Sequence, residues 1–457
     1  MSRSNAVGLA LGLSFVLATI AGSVARPAAA IAGPAVTVYT RDLGYVRETR
    51  ALELAGGRDT VRLSDLPERL DFSSVRLVPA GAARLTRLAY RWDVASGDAF
   101  LENAVGKRVS VSSRGDRVTE GTLIASDGSW LVVRADDASL STLARGAVEA
   151  VRLATPAARL SLRPTLEAVF EEGRRGSVTA ELSYLTGGLS WSAEHTVVRR
   201  GEREAVWSAT VTVANSTGRD YVDATLKLVA GEPRRDQARP MPMMRAMAMD
   251  AAMKGAGEPD LSEETFSEYH LYTLGRPATL RGREQQSFTM IEPRTVKVAP
   301  RYVYRGGDAR GVMSQMVIVN SKEAGLGLPL PAGRVRFYET DPAGAPQFTG
   351  ESSIQHTPEG EKLELEVGSA FDLKAERRDL YNKRISDRER EYAVEIKLRD
   401  HKPADVVILV RESVGGDTEI TQKTHEFTRK DASTIEFAIP VAAGKETVLS
   451  YMARVRY

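Results

Sequence analysis

From about Ala35 onward, apolar side chains fall on every second position along most of the chain. "AVTVYT" at 35–40, "YVRETRALEL" at 45–54 and "DTVRLSDLP" at 59–67 all read this way. A period of two puts alternate side chains on one face, so each run predicts a strand with one buried side. Ala55-Gly56-Gly57 reads as a hairpin turn between two of these strands, with Gly57 supplying the positive φ that a tight turn needs. "DFSSVRLVP" and "ARLTRLAYRWDV" carry the alternation on to Val94.

Residues 101–153 read as a separate small unit of four or five short strands, punctuated at Arg114-Gly115-Asp116 and Ser126-Asp127-Gly128. That spacing predicts a small SH3-like or Sm-like barrel. From about Pro156 the strands lengthen. "VTAELSYLTGGLSWSAEHTVVRR" places Leu182, Tyr184, Leu189, Trp191, Ala193 and His195 in a core, with a turn or bulge at Gly187-Gly188.

A strand, polar turn, strand pattern recurs in "VTVANSTGRDYVDATLKLV", "MVIVNSKEAGLGLPLPAGRVRFYE" and "VEIKLRDHKPADVVILVRESV". Asn215, Asn320 and Asp400 each end the first strand, where a short polar side chain can hydrogen-bond the turning backbone. These units read as hairpins. The charged segment at 367–399 carries interleaved signs and is flanked by clean strands, so it reads as a solvated edge strand. "STIEFAIPV" and "TVLSYMARVRY" close the chain as two further strands. The pattern therefore predicts an all-β chain of antiparallel immunoglobulin-like sandwiches with a small SH3/Sm-like barrel in its N-terminal half. The plan is an N-terminal β domain at 31–100, the barrel at 101–153 and a first sandwich part at 154–231. A linker at 232–266 follows, then a second sandwich part at 267–457 that ends in an immunoglobulin-like domain.

The first thirty residues depart from this pattern. Arg3 precedes an apolar run from Ala6 to Ile20, followed by small residues around Ala25 and Ala28-Ala29-Ala30, which is the layout of a cleaved secretory signal. The apolar run is close to spanning length, so an N-terminal membrane anchor is the alternative. No later stretch approaches that length, and no membrane span is expected once the leader is gone. The expected location is exported, periplasmic or extracellular. With no cysteine in 457 residues, disulfides, thiolate metal sites and a cysteine nucleophile are excluded. Lys and Arg total 62 against 60 Asp and Glu, and removing Arg3 and Arg26 brings the balance to zero. Nucleic acid calls for a concentrated basic field, which this balance does not supply.

Six of the eleven methionines fall within thirteen residues, at Met241, Met243, Met244, Met247, Met249 and Met253. Thioethers are soft ligands, so this stretch is the one candidate for Cu(I) or Ag(I). A short helix gripping a partner is another reading. Proline at 233, 240, 242 and 259, mixed charge and the lack of a histidine favour a linker instead. No resident cofactor or metal is expected. The five histidines, at 195, 270, 356, 401 and 425, are isolated in sequence, and neither a zinc-protease helix motif, a P-loop nor a nucleophile elbow is present. A hydrolase would need a triad assembled from distant residues, with His195, His356 or His425 meeting a carboxylate and a hydroxyl. His195 reads as a core histidine with one hydrogen-bond partner, and His356 as a turn residue whose ring bonds backbone. Asn215-Ser216-Thr217 matches a glycosylation sequon but reads better as a turn.

Several stretches together resemble an exported bacterial family known as domain of unknown function 4139, related to proteins called mucoidy inhibitors. The matching stretches include "YVRETRALEL", "LSDLPERLDFSSV", "AYRWDV" and "VGKRVSV" near the start. "RPTLEAVFE", "SYLTGGLSWSAEH" and "NSTGRDYVDATLKLVAGEP" follow in the middle. "QHTPEGEKLELEVGSAFDLKAERR", "LRDHKPADVVILVRES" and "LSYMARVRY" complete the order. The resemblance implies an exported, β-rich protein with a Pro- and Met-rich insertion between two halves of the sandwich region, and it brings no catalytic residues, cofactor or substrate. The expectation is a non-enzymatic binding or scaffolding protein of the cell envelope, with an envelope protein or a glycan as partner.

Overall fold

The computed structural model describes residues 33–154, 160–173, 175–231, 233, 261–266, 269–415 and 417–456. Residues 1–32, where the leader is expected, and the Met241–Met253 stretch lie outside these residues. The fold is all-β, with strands gathered into six sheets. Among the described residues the one α-helix, Gly97–Ala104, corrects the strand reading at the start of the small unit. Ser96 caps it by accepting from the Ala99 N–H, and its own Leu101 and Ala104 are buried.

Two sheets form the larger sandwich. The eight-stranded layer runs Leu261–Phe266, Tyr269–Leu274, Tyr221–Ala230, Ala35–Tyr39, Gly44–Leu54, Gly176–Thr186 and Leu70–Pro79, with Ala278–Leu280 on the side. The five-stranded layer runs Glu284–Lys297, Glu204–Asn215, Leu189–Arg200, Gly333–Thr340 and Pro346–Ile354. Both layers contribute to one core that includes Val46, Leu182, Tyr184, Trp191, Trp207 and Val211. Leu182, Tyr184, Leu189, Trp191, Ala193 and His195 are all buried, as the alternation requires. Each large apolar side chain removed from water here contributes about 1.5–3 kcal/mol. A three-stranded sheet, Gly57–Leu63, Thr165–Gly173 and Arg84–Arg91, adds Leu63, Leu166 and Phe170 to the same core.

The small unit is a five-stranded sheet in the order Val148–Leu153, Arg108–Ser113, Arg117–Ser126, Trp130–Arg134 and Leu140–Ala144. It has a core of its own around Val109, Val111, Leu123, Leu131 and Val133. Toward the C-terminus a second pair of sheets shares another core, with Val394, Ile396, Ile408, Phe437 and Leu449 at its centre. One has six strands, including Ala299–Arg305, Val312–Val319, Val406–Ser413 and Thr434–Val441. The other has four: Leu373–Ser386, Glu389–Asp400, Glu446–Arg456 and Asp417–Lys423. Leu373–Ser386 is an edge strand, and most of its charged side chains face solvent, while Arg377 turns inward to the buried Glu412.

Pairing departs from expectation in two ways. Three neighbouring pairs are parallel: Ala35–Tyr39 with Tyr221–Ala230, Leu189–Arg200 with Gly333–Thr340, and Ala299–Arg305 with Val406–Ser413. The supposed hairpins are also arches. Glu204–Asn215 and Tyr221–Ala230 lie in different sheets, as do Val312–Val319 and Gly333–Thr340, and Glu389–Asp400 and Val406–Ser413. The Gly56-Gly57 corner likewise leads from Gly44–Leu54 into the three-stranded sheet. A period of two fixes which face is buried and says nothing about which neighbour is paired.

The arches explain the recurring Asn and Asp. Burial alternates along Glu204–Asn215 and Glu389–Asp400, and the last inward position of each strand is the polar residue. Asn320 follows the buried Ile318 in the same phase. A polar group at that depth must find partners within the protein. Asn215 Nδ2 donates to the carbonyls of Arg219 (2.8 Å) and Leu280 (3.1 Å), while Oδ1 accepts from the Thr217 N–H and hydroxyl. Asn320 Nδ2 donates to Leu328 O and Pro358 O, both at 2.8 Å, and Oδ1 accepts from Gly327 N–H. Asp400 Oδ1 accepts from Lys402 N–H at 2.7 Å.

Candidate functional site: a polar cavity at the loop end of the larger sandwich

Glu48 sits in the apolar phase of strand Gly44–Leu54, between the buried Val46 and the core-facing Leu52. A carboxylate there is tolerable only if it is paired. Its partner is Arg219, from the Asn215 arch: Nη1 and Nη2 donate to the two carboxylate oxygens at 2.9 and 2.6 Å. Nη1 also donates to the Tyr184 hydroxyl, and the guanidinium lies 5.0 Å from the centre of the Tyr221 ring. Both Arg219 and Glu48 are under one-tenth exposed. Burial alone would push the Arg219 pKa down, and the hydrogen bonds and charge of Glu48 outweigh it and hold the guanidinium above its ordinary value. Burial pushes the Tyr184 and Tyr221 hydroxyls up, so both stay protonated. Arg50, half-buried, adds a third bond to Glu48 at 3.0 Å.

This buried unit anchors a ring of loops. Glu68 N–H donates to Thr217 O, and Gly282 N–H donates to the Asp220 carboxylate at 2.7 Å. Asp42 takes a two-point contact from Arg69 and a third bond from Gly188 N–H at 2.8 Å. Gly188 has φ 88°, and a Cβ there would stand 3.1 Å from the Ser216–Thr217 backbone, so the close approach of these two turns requires glycine. Further round, the buried Asp93 accepts from Ser161 N–H at 2.7 Å while its own N–H donates to Ser161 O, which fastens the 161–164 segment beside Trp92.

The loops enclose a solvent-open cavity of about 390 Å³. Asp65, Glu68, Asp220, Arg163, Arg283 and Trp92 supply the chemistry, and Leu66, Leu162, Pro164 and two glycines complete the lining. Asp65 connects cavity and core, with its carboxylate 3.4 Å from Arg219 Nε and 3.7 Å from Arg50. Glu68 pairs with Arg283 at 3.2 Å. Asp65 and Arg283 both hold positive φ, 70° and 63°. Aspartate enters this region readily, whereas for Arg283 it costs roughly 1–2 kcal/mol and persists only where the surroundings dictate it. The arrangement can hold a small polar ligand against fixed side chains of both signs.

The histidines lie elsewhere. His195 is fully buried beside Trp207, its Nε2 donating to Pro331 O at 3.1 Å, and burial lowers its pKa to about 4. His356 Nδ1 accepts from Ala332 N–H, as a backbone-bonding turn residue should. His425 sits next to Thr424 on the C-terminal sandwich. None of the three lines the loop-end cavity. Among the described residues no group of three or more His, Asp or Glu side chains could hold a metal, and no helix is long and apolar enough to cross a membrane. Asn215 is buried with both Nδ2 protons engaged, so the sequon is a structural turn.

The sequence reading passed over the residues that build this site. One signal was available: Glu48 and Arg50 interrupt the apolar phase of "YVRETRALEL", and a charge in that phase implies a buried partner elsewhere. No family model matches the chain, and no curated protein matches it.

Proposed function

We propose that the chain is an exported, non-enzymatic binding or scaffolding protein of the bacterial envelope, of the domain of unknown function 4139 family, and that it meets its partner with the loop end of the larger sandwich. The carrying observation is the cavity itself. Its walls come from five separate segments, they include two residues in left-handed backbone, and they rest on a buried Arg219–Glu48 pair. Rigid scaffolds that display loops at one end are well suited to recognition. The immunoglobulin-like reading of the two sandwiches is supported by their two-layer cores and the arches between layers. The five-stranded unit with its separate core supports the SH3-like reading.

The test is photo-crosslinking in intact cells, with the reactive residue placed at Arg163 and, as a control, at Lys445 on the other sandwich. Adducts formed from 163 alone are the expected result. No adduct from 163, or the same products from both positions, would contradict the proposal.

A further inference from the structure

The reading of the loop end as the binding end leaves the chemistry of the ligand open, and the cavity lining narrows it. Three carboxylates, Asp65, Glu68 and Asp220, share the space with the guanidiniums of Arg163 and Arg283. A polyanion would meet three like charges, and a polycation two. An apolar ligand would strip water from all five ionised groups. Trp92 and Leu162 nevertheless bring an apolar surface to the same cavity, and Leu162 is held there with 54% of its surface exposed. The segment carrying Leu162 and Arg163 is fixed beside Trp92 by the reciprocal Asp93–Ser161 bonds. Among the described residues no carboxylate pairs with Arg163 in this structure, so its guanidinium is available.

We infer that this cavity binds a neutral sugar residue. Each sugar hydroxyl both donates and accepts, so a rim that mixes carboxylates with guanidiniums serves adjacent hydroxyls from both sides. The ring's C–H face has an indole to rest on. The volume, about 390 Å³, lies in the range of small-ligand sites. The inference rests on the loop end being the binding end, and it selects a glycan over a protein as the partner.

The test uses the mature full-length chain and saturation-transfer NMR with glucose, galactose and N-acetylglucosamine, each presented separately. At least one is expected to show transfer to its ring C–H protons at millimolar concentration. Arg163→Ala and Asp220→Asn should each weaken that binding by about tenfold. Arg163 is exposed and unpaired, and Asn at 220 keeps the acceptor for Gly282 N–H, so both variants should retain the wild-type circular dichroism spectrum. Trp92→Phe should keep binding that Trp92→Ala loses. Absence of transfer for all three sugars, or full-strength binding in both Arg163→Ala and Trp92→Ala, would overturn the inference. If position 163 captures a protein in cells while no sugar binds, the sugar falls and the binding end stands. Neither adduct nor transfer would bring down both.

Discussion

Replacing Arg219 by Met leaves the Glu48 carboxylate in the sandwich interior with Arg50 as its remaining cation. Removing one member of a buried ion pair costs about 3–5 kcal/mol, because the other charge keeps its desolvation penalty. Arg50 lies 3.0 Å from Glu48 Oε1 and reaches solvent, which places the expected loss near the lower end, about 3 kcal/mol. With a urea dependence of about 1–3 kcal/mol per molar, that loss moves the unfolding midpoint down by roughly 1 M or more. Tryptophan fluorescence leaves out the C-terminal sandwich, and Trp130 of the small unit, half exposed, adds a separate signal. Trp191 and Trp207 lie in the core of the larger sandwich, and no tryptophan follows Trp207 in the chain. The double variant Glu48→Leu with Arg219→Met removes both charges and should recover most of the loss, since a well-packed apolar pair often equals a buried ionic one. A single variant with an unchanged midpoint, or a double variant less stable than the single, would refute the argument.

Three further outcomes follow from other parts of the molecule. His195 is neutral and buried with a pKa of about 4, against about 6.5 unfolded, so the unfolded chain binds the extra proton between those values and stability falls as pH drops through that window. Between pH 6.5 and 5 this amounts to about 1.5 kcal/mol, which His195→Gln should abolish in urea titrations at the two pH values; equal pH dependence in both proteins would count against it. Asn320→Ala leaves Gly327 N–H and the Leu328 and Pro358 carbonyls without their side-chain partner, and should cost about 2–4 kcal/mol by denaturant unfolding, whereas a loss under 1 kcal/mol would show that the arch does not depend on it. A Cβ at Gly306 would stand 1.7 Å from Glu412 Oε1, so Gly306→Ala should displace that carboxylate from Arg377 and Tyr451 and lower the melting temperature of the C-terminal sandwich, with the Trp-reported transition unchanged.

Much of the fold was legible because burial in a sandwich leaves a period of two. Leu182 through His195 fall on the inward face as read, the charged run at 373–386 is an edge strand, and Asn215, Asn320 and Asp400 organise turns. Partner choice was not legible. An arch and a hairpin share the same strand, polar turn, strand pattern, and the difference lies in contacts made by residues far away in sequence. The helix at Gly97–Ala104 is two turns long, too short to establish a period, although its Ser96 cap was in view. The cavity was invisible for the same reason as the pairing. Asp65, Trp92, Arg163, Asp220 and Arg283 are spread over more than two hundred residues of chain, and each taken alone is an ordinary surface residue.

The buried Arg219 unit is what holds the loop end in place, and hydrogen exchange followed by mass spectrometry on the full chain tests this most directly. In Arg219→Met, exchange should quicken in the loops at 64–69, 187–188, 215–221 and 280–283, while strand Glu389–Asp400 keeps its wild-type rate. Unchanged loops, or acceleration spread evenly over both sandwiches, would contradict the account.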